Sequence, residues 1–400
     1  MYVNDTEQQL AIHPVEMSNV TATIRYCDLK EFALSYREIH GHLSILVCVF
    51  GSIANILNIC VLTTKEMRWP TNFILTGLAI ADLLVMLEYI PFASHVYLNP
   101  KSRLSADYFT YAWAVYMIFH ALFTQVLHFI SCCLTVILAI WRYIAITHPQ
   151  NNKLWFIVSN VRSTLTSIVL TYLVCPLMCI PLFLSLNVIK RTHIMDEKNM
   201  LINPKLQHNF TGVIRNGTLY TAELSGNFMN VSFWVYSVVI KFVPCVLLTI
   251  LSMRLISALL ETKKRRRNLI NSTGVPLREK KPKKSKRYLD KEHQTDRTTR
   301  MLLAVLLLFL ITEFPQAILG LLSVVIGKEF VGQCYTPLGD LMDILALVNS
   351  AINFILYCSM SRQFRSAFSE VFRPKLLNRW LPLPARTTET NGGMTQVTQV

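Results

Sequence analysis

Between Tyr108 and Trp141 the chain carries no lysine, arginine, aspartate or glutamate, yet His120, Gln125 and His128 interrupt that apolar stretch at helical spacing. Ionisable side chains also stand alone inside other apolar runs: Asp82 and Glu88, six residues apart, then Lys241, then Glu313. Asp340 and Asp343 open the last run. Charged groups in a hydrocarbon environment are costly and mark function. The chemistry open to this set is charge pairing and hydrogen bonding, and a carboxylate there suits the planar fork of an arginine. Covalent chemistry has no support: there is no nucleophile beside a base, no phosphate-cradling loop and no Cys-x-x-Cys pair. Cys132 and Cys133, in mid-run, are expected to pack as small hydrophobes. The expectation is a binding protein, not an enzyme.

The elements that must position these groups are apolar runs over roughly 43–64, 71–96, 109–146, 154–189, 229–256, 299–326 and 338–361. Each can cross about 30 Å of hydrocarbon. With 52% hydrophobic residues among 400, the chain reads as an all-α membrane protein, a bundle of seven transmembrane helices. The polar segment 1–40 has no apolar core of a cleavable signal, so the first span is expected to direct insertion. Residues 261–300 hold fifteen lysines and arginines against five acids, whereas residues 1–40 hold three bases and six acids. Positive charge stays on the cytoplasmic side, which places the N-terminus outside the plasma membrane. Sequons at Asn4, Asn19, Asn209 and Asn216 fall on outer segments, while that at Asn271 falls inside. A basic segment between two spans meets solvent and lipid headgroups, not nucleic acid. The expected division is a glycosylated segment 1–40, a bundle over 41–360 with a basic loop at about 261–298, an amphipathic helix at 361–373 and a tail at 374–400. Phe364, Phe368 and Phe372 give that last helix one apolar face for the inner leaflet. The terminal TQVTQV suits a PDZ domain through Thr398 and the Val400 carboxylate.

The motifs fall in an order that resembles the rhodopsin-like (class A) G-protein-coupled receptors. Asn55 lies in GSIANILNICVL and Asp82 in LAIAD. Arg142 and Tyr143 end the third run in TVILAIWRYIAI, with Trp141 where relatives carry an acid. Pro315 sits in TEFPQ with Glu313 in the usual tryptophan position. Asn353 and Tyr357 lie in NSAINFILY with Phe354 replacing a proline. The stretches TNFILTGLAIADLLVMLEYIP, FHALFTQVLHFIS and TEFPQAILGLL more closely resemble the invertebrate myosuppressin receptors, which are FMRFamide-type neuropeptide receptors.

That resemblance implies an extracellular amidated peptide ligand ending in Arg-Phe, a heterotrimeric G protein of the Gi/o kind, and arrestin as a further partner. The alternatives are a different small peptide or an amine, or a seven-helix transporter, although internal repeats are missing. Glu88 leads the expected ligand contacts, with Asp343 and Asp340 next and Tyr116, Phe119, His120 and Gln125 forming a wall. Expected switch residues are His128, Glu313, Pro315, Phe309, Lys241, Asn353 and Tyr357. Lys241 alternatively snorkels at a shifted helix boundary. Arg142 and Tyr143 are the expected G-protein contacts. No cofactor is expected beyond a sodium ion held by Asp82, Ser131, Asn349 and Asn353. The family's disulfide between the third helix and the second outer loop is lost, because both cysteines are absent. Cys27 and Cys334 are expected to pair instead, both on the oxidising side. Trp141 cannot hold Arg142 as an acid would, and Glu292 and Asp296 are the nearest substitutes. Counting fourteen back from Arg142 reaches His128, which is expected to pair with Glu313, with Lys241 competing.

Overall fold

A computed structural model describes residues 26–98, 103–147, 152–202, 212–225, 229–272 and 283–372. Asn4, Asn19, Asn209 and the TQVTQV tail lie outside these residues. Seven helices among them are long and apolar enough to cross a membrane. They are α1 (Lys30–Leu62), α2 (Pro70–Val96), α3 (Tyr111–Thr147), and α4, which runs Val161–Met178 and resumes as Ile180–Ser185. After a hairpin come α5, formed by consecutive segments Met229–Trp234, Val235–Phe242 and Val243–Ser272, then α6 (Lys283–Ile326) and α7 (Gly339–Met360). A final short helix, α8, covers Arg362–Phe372.

The central helix is α3, which touches α2, α4, α5 and α6. Its inward face buries Leu127, Ile130, Leu134 and Leu138, as a helix enclosed on most sides must. By contrast, α4 leaves Leu165, Val169, Leu170, Leu173 and Leu177 exposed. That outward apolar surface is what a lipid-facing helix presents, because lipid is as apolar as leucine. On the other side α1 and α2 approach closely at Gly51, where a Cβ would collide with the Met86 thioether. Small residues at a crossing let backbones approach without hydrophobic drive. The α1–α7 contact is pinned by Asn55, whose Nδ2 donates to the carbonyls of Ser350 and Gly51, both at 3.0 Å.

Two faces of the bundle differ in kind. One carries the N-terminal segment and a two-stranded antiparallel hairpin, β1 (Leu186–Met195) with β2 (Arg215–Leu224), in register from Leu186 opposite Leu224 to Met195 opposite Arg215. The other carries α8. No cysteine lies in the hairpin or at the start of α3, and backbone bonds tie the two together. Leu201 N–H donates to the Leu104 carbonyl at 2.7 Å, and Ala106 N–H to Asn199 at 2.8 Å. Asn199 is the one described non-glycine residue with positive φ, 61°, and its side chain accepts from Arg215 at 2.5 Å. Asn216 lies exposed on β2 of the same face.

Cys27 and Cys334 are joined by a disulfide, with their Cα atoms 5.4 Å apart. Beside it Tyr26 N–H donates to Gln333 Oε1 at 2.8 Å. The segment before α1 is therefore stapled to the turn Val331–Tyr335 that leads into α7, just past Gly327, whose φ of 102° ends α6 in a backbone state open to glycine.

Several boundaries differ from expectation. The first helix begins at Lys30, inside the segment assigned to the N-terminal region, because His40 packs on Tyr89 and Tyr97, and Tyr36 on His40, which extends the buried face. Residues 186–189 leave the fourth span for strand β1. The basic segment is helical over the continuations of α5 to Ser272 and of α6 from Lys283, since lysine, arginine and glutamate are good helix formers. The side chains of Glu292 and Asp296 lie outside the described set.

Candidate functional site

A cavity of about 340 Å³ opens on the face that carries the hairpin and the disulfide. Its roof is β2, through Tyr220, Thr221, Ala222 and Leu224. One wall is α3, which presents Trp113, Met117, His120, Thr124, Gln125 and His128. These recur at the three- and four-residue steps that place side chains on one helix face. Asp343 of α7 stands opposite, and His128, Lys241 and Gln316 form the floor.

The mouth is aromatic and basic. The His95 ring lies stacked between Tyr108, at 4.3 Å, and Trp113, at 3.6 Å. Arg37 and Arg103 each sit 5.8 Å from the Tyr97 ring centroid, within cation–π range. Arg103 also donates to the Val96 carbonyl. Burial pushes the Arg103 guanidinium down from its ordinary value and the Tyr108 hydroxyl up.

Along the floor a polar chain crosses the bundle. Tyr335, next to the disulfide, meets Tyr236 hydroxyl to hydroxyl at 3.1 Å. Gln316 Nε2 donates to Tyr236 at 3.2 Å, and Lys241 Nζ donates to Gln316 Oε1 at 2.8 Å. Lys241 reaches Glu313 Oε2 at 3.2 Å, and His128 Nε2 meets the same oxygen at 2.7 Å. Lys241 is 4% exposed and Glu313 1%, so the lysine does not snorkel; it lies in the wide π-helical turn Val235–Phe242 and points inward. Such turns recur at functional sites. Glu313 is held by two partners at once, as a buried carboxylate requires. Its other oxygen, Oε1, has no hydrogen-bond partner among the described residues. Phe309, one turn below on α6, is buried in the lower core, and Pro315 lies within the helix.

Glu88 does not line the cavity. Its carboxylate accepts from Tyr116 Oη at 3.0 Å, His120 Nδ1 at 2.8 Å and Thr124 Oγ1 at 2.9 Å, and it is buried. Three donors on one face of α3 saturate it, which makes it a rivet between α2 and α3. Tyr116 is spent in the same contact. Phe119 is 47% exposed and faces outward, one residue and about 100° of helix away from His120. Asp340 accepts from Tyr97 Oη at 2.7 Å and is likewise absent from the lining. Of the seven expected contacts, His120, Gln125 and Asp343 meet at the cavity. The aromatic stack, the two arginines, Tyr236 and Gln316 escaped sequence reasoning. Only Gln316, beside Pro315, carried a positional signal.

Farther in, Asp82 accepts from Ser131 Oγ at 3.2 Å and Asn353 Nδ2 at 3.1 Å. Ser350 also hydrogen-bonds it. Tyr357 is buried on Phe364 of α8. At the α8 face, Arg142 and Tyr143 are half-buried, Trp141 is buried, and Arg142 Nε has no partner among the described residues.

The sequence profile of the serpentine-type seven-transmembrane receptors, described as the G-protein-coupled chemoreceptor family Srw, matches residues 42–375. The chain is a G-protein-coupled receptor of this serpentine family. Among relatives, the receptor is 31% identical to the G-protein coupled receptor dmsr-1 of Caenorhabditis elegans over 85% of this chain and 69% of that protein. It is 28% identical to the sex peptide receptor of Drosophila melanogaster over 92% of this chain and 80% of that one. The FMRFamide receptor of the same fly is 22% identical over 86% of this chain and 55% of its own length. Membership makes the protein a multi-pass membrane receptor and not an enzyme.

Proposed function

We propose that the receptor binds an extracellular amidated peptide, of the myosuppressin kind with a C-terminal Arg-Phe, and signals through a Gi/o-class G protein. One observation supports this above the rest: Asp343 is the carboxylate of a cavity whose other charged groups, Arg37, Arg103 and Lys241, are basic. An incoming arginine finds one acid to pair with. The phenyl ring and amide of the last residue suit the wall, where Met117 and Phe92 are apolar and the Gln125 side-chain amide can hydrogen-bond a peptide amide. Two relatives are themselves named for peptides.

The hairpin face is the outer one in this reading. A disulfide belongs in an oxidising compartment, and the Asn216 sequon is exposed on the same side. The ligand bears on the floor, where His128, Lys241 and Gln316 join α3, α5 and α6. Strain or relief there biases α6 about Pro315, and the α8 face opens at Arg142 and Tyr143 for the G protein. Arrestin would follow at the same face, a PDZ domain at the tail, and α8 would rest on lipid. Asp82, Ser131 and Asn353 supply hard oxygen donors, with carboxylate and hydroxyl already facing each other, and would hold a sodium ion.

The test is a panel of amidated peptides applied to cells expressing the receptor, read by G-protein activation. Response to Arg-Phe-amide peptides, lost when the arginine is replaced, supports the reading. Silence to all of them at micromolar dose, with surface expression confirmed, overturns it.

A further inference from the structure

We propose that His128, Cys132 and Glu313 form a binding site for a zinc-class divalent ion that joins α3 to α6. The imidazole nitrogen, the thiol sulfur and a carboxylate oxygen all lie within 4.8 Å of one another. A tetrahedral zinc with ligands at about 2.0–2.3 Å needs its donors roughly 3–4 Å apart, so a small contraction closes the site. His128 and Cys132 are four residues apart on α3 and therefore share a face, while Glu313 answers from α6. All three are buried, at 8%, 2% and 1% exposure.

A second observation points to a ligand. Glu313 Oε1 is buried with no hydrogen-bond partner among the described residues, and a buried carboxylate oxygen left unpaired costs free energy. His128 also lines the floor of the cavity, so an ion entering from the hairpin face reaches the site. Nitrogen, sulfur and oxygen donors together suit zinc better than magnesium or calcium, which prefer oxygen alone. Three protein ligands leave the fourth position to water or to a bound peptide group.

Binding rearranges two contacts. Cys132 loses its thiol proton to water as its sulfur coordinates, and His128 gives up its Nε2 proton, released to water or moved to Nδ1, so that Nε2 exchanges its hydrogen bond to Glu313 for the metal. Lys241 keeps Oε2 at 3.2 Å, with Gln316 as its second acceptor, and its positive charge opposes the ion. Removing that charge should therefore tighten the site.

The full-length receptor, purified in lipid nanodiscs and freed of metal by chelation, is titrated with Zn²⁺ alone. The expected result is a saturable rise in Tm that Cys132→Ala and Glu313→Gln each abolish and Cys133→Ala retains. Lys241→Met should tighten the apparent affinity by on the order of tenfold. Co²⁺ as a spectroscopic substitute should show a thiolate charge-transfer band in wild type, which needs no variant to fold. A wild-type receptor that shows neither Tm shift nor band overturns the site, as does a shift unchanged in both Cys132→Ala and Glu313→Gln.

Discussion

At the scale of single residues, two carboxylates of the upper bundle have been given opposite work by their neighbours. Glu88 is saturated by Tyr116, His120 and Thr124, whereas Asp343 faces the cavity. Glu88→Ala strands three donors, so we expect a loss of about 2–3 kcal/mol, read as a lower Tm of the solubilised receptor. Peptide potency per surface receptor should change little. Asp343→Asn should lower potency about 10- to 100-fold for an arginine-bearing peptide. An unaltered dose–response in Asp343→Asn removes it from the ligand site. Deeper in, His128 and Lys241 share one oxygen of Glu313. His128→Phe and Glu313→Trp should each impair signalling, and the pair together should recover part of it, because breaking a buried pair strands a charge. Recovery stays incomplete because Lys241 remains, and adding Lys241→Met should extend it. Strictly additive losses through the cycle mean no interaction.

At the scale of elements, the hairpin is held by means the sequence did not announce. Loss of both usual cysteines was legible, and so was the Cys27–Cys334 pairing. The replacement was not, because Leu104, Ala106, Asn199 and Leu201 act through backbone groups that any residue owns. Leu201→Pro deletes one donor, and limited proteolysis of intact cells should then cut the hairpin faster. Resistance equal to wild type means the bridge carries no weight. Helices were legible where apolar runs are long, and their caps less so. The start of α1 at Lys30 depends on aromatic contacts of His40 with Tyr89 of α2 and Tyr97 just past it, which no local pattern reveals. Rotation of a helix about its axis was the other gap. Phe119 and His120 are neighbours in sequence, yet one faces outward and the other faces Glu88, and only packing against α2 decides which.

At the scale of the whole molecule, the cavity and the face that carries Arg142 are joined by α3, with the polar chain from Tyr335 to His128 on one side and Arg142 at the far end. A receptor stays quiet only if its inactive state is favoured without ligand. Relatives favour it with an acid beside this arginine, but here Trp141 is buried in the core and contributes no charge. Arg142 is half-buried, and its Nε finds no partner among the described residues. A guanidinium so placed gains by moving toward any acceptor the open state provides, including one from a G protein, so the closed state loses part of its advantage. An ion pair restored at that depth contributes about 1–3 kcal/mol, or roughly a five- to hundredfold change in the closed-to-open ratio. Trp141→Asp also removes a buried indole at some cost in folding, so signalling must be divided by surface receptor number. On that scale ligand-free G-protein activation should be measurable in wild type and lower in Trp141→Asp. Equal basal activity in the two would show that the arginine is restrained by something other than the missing acid.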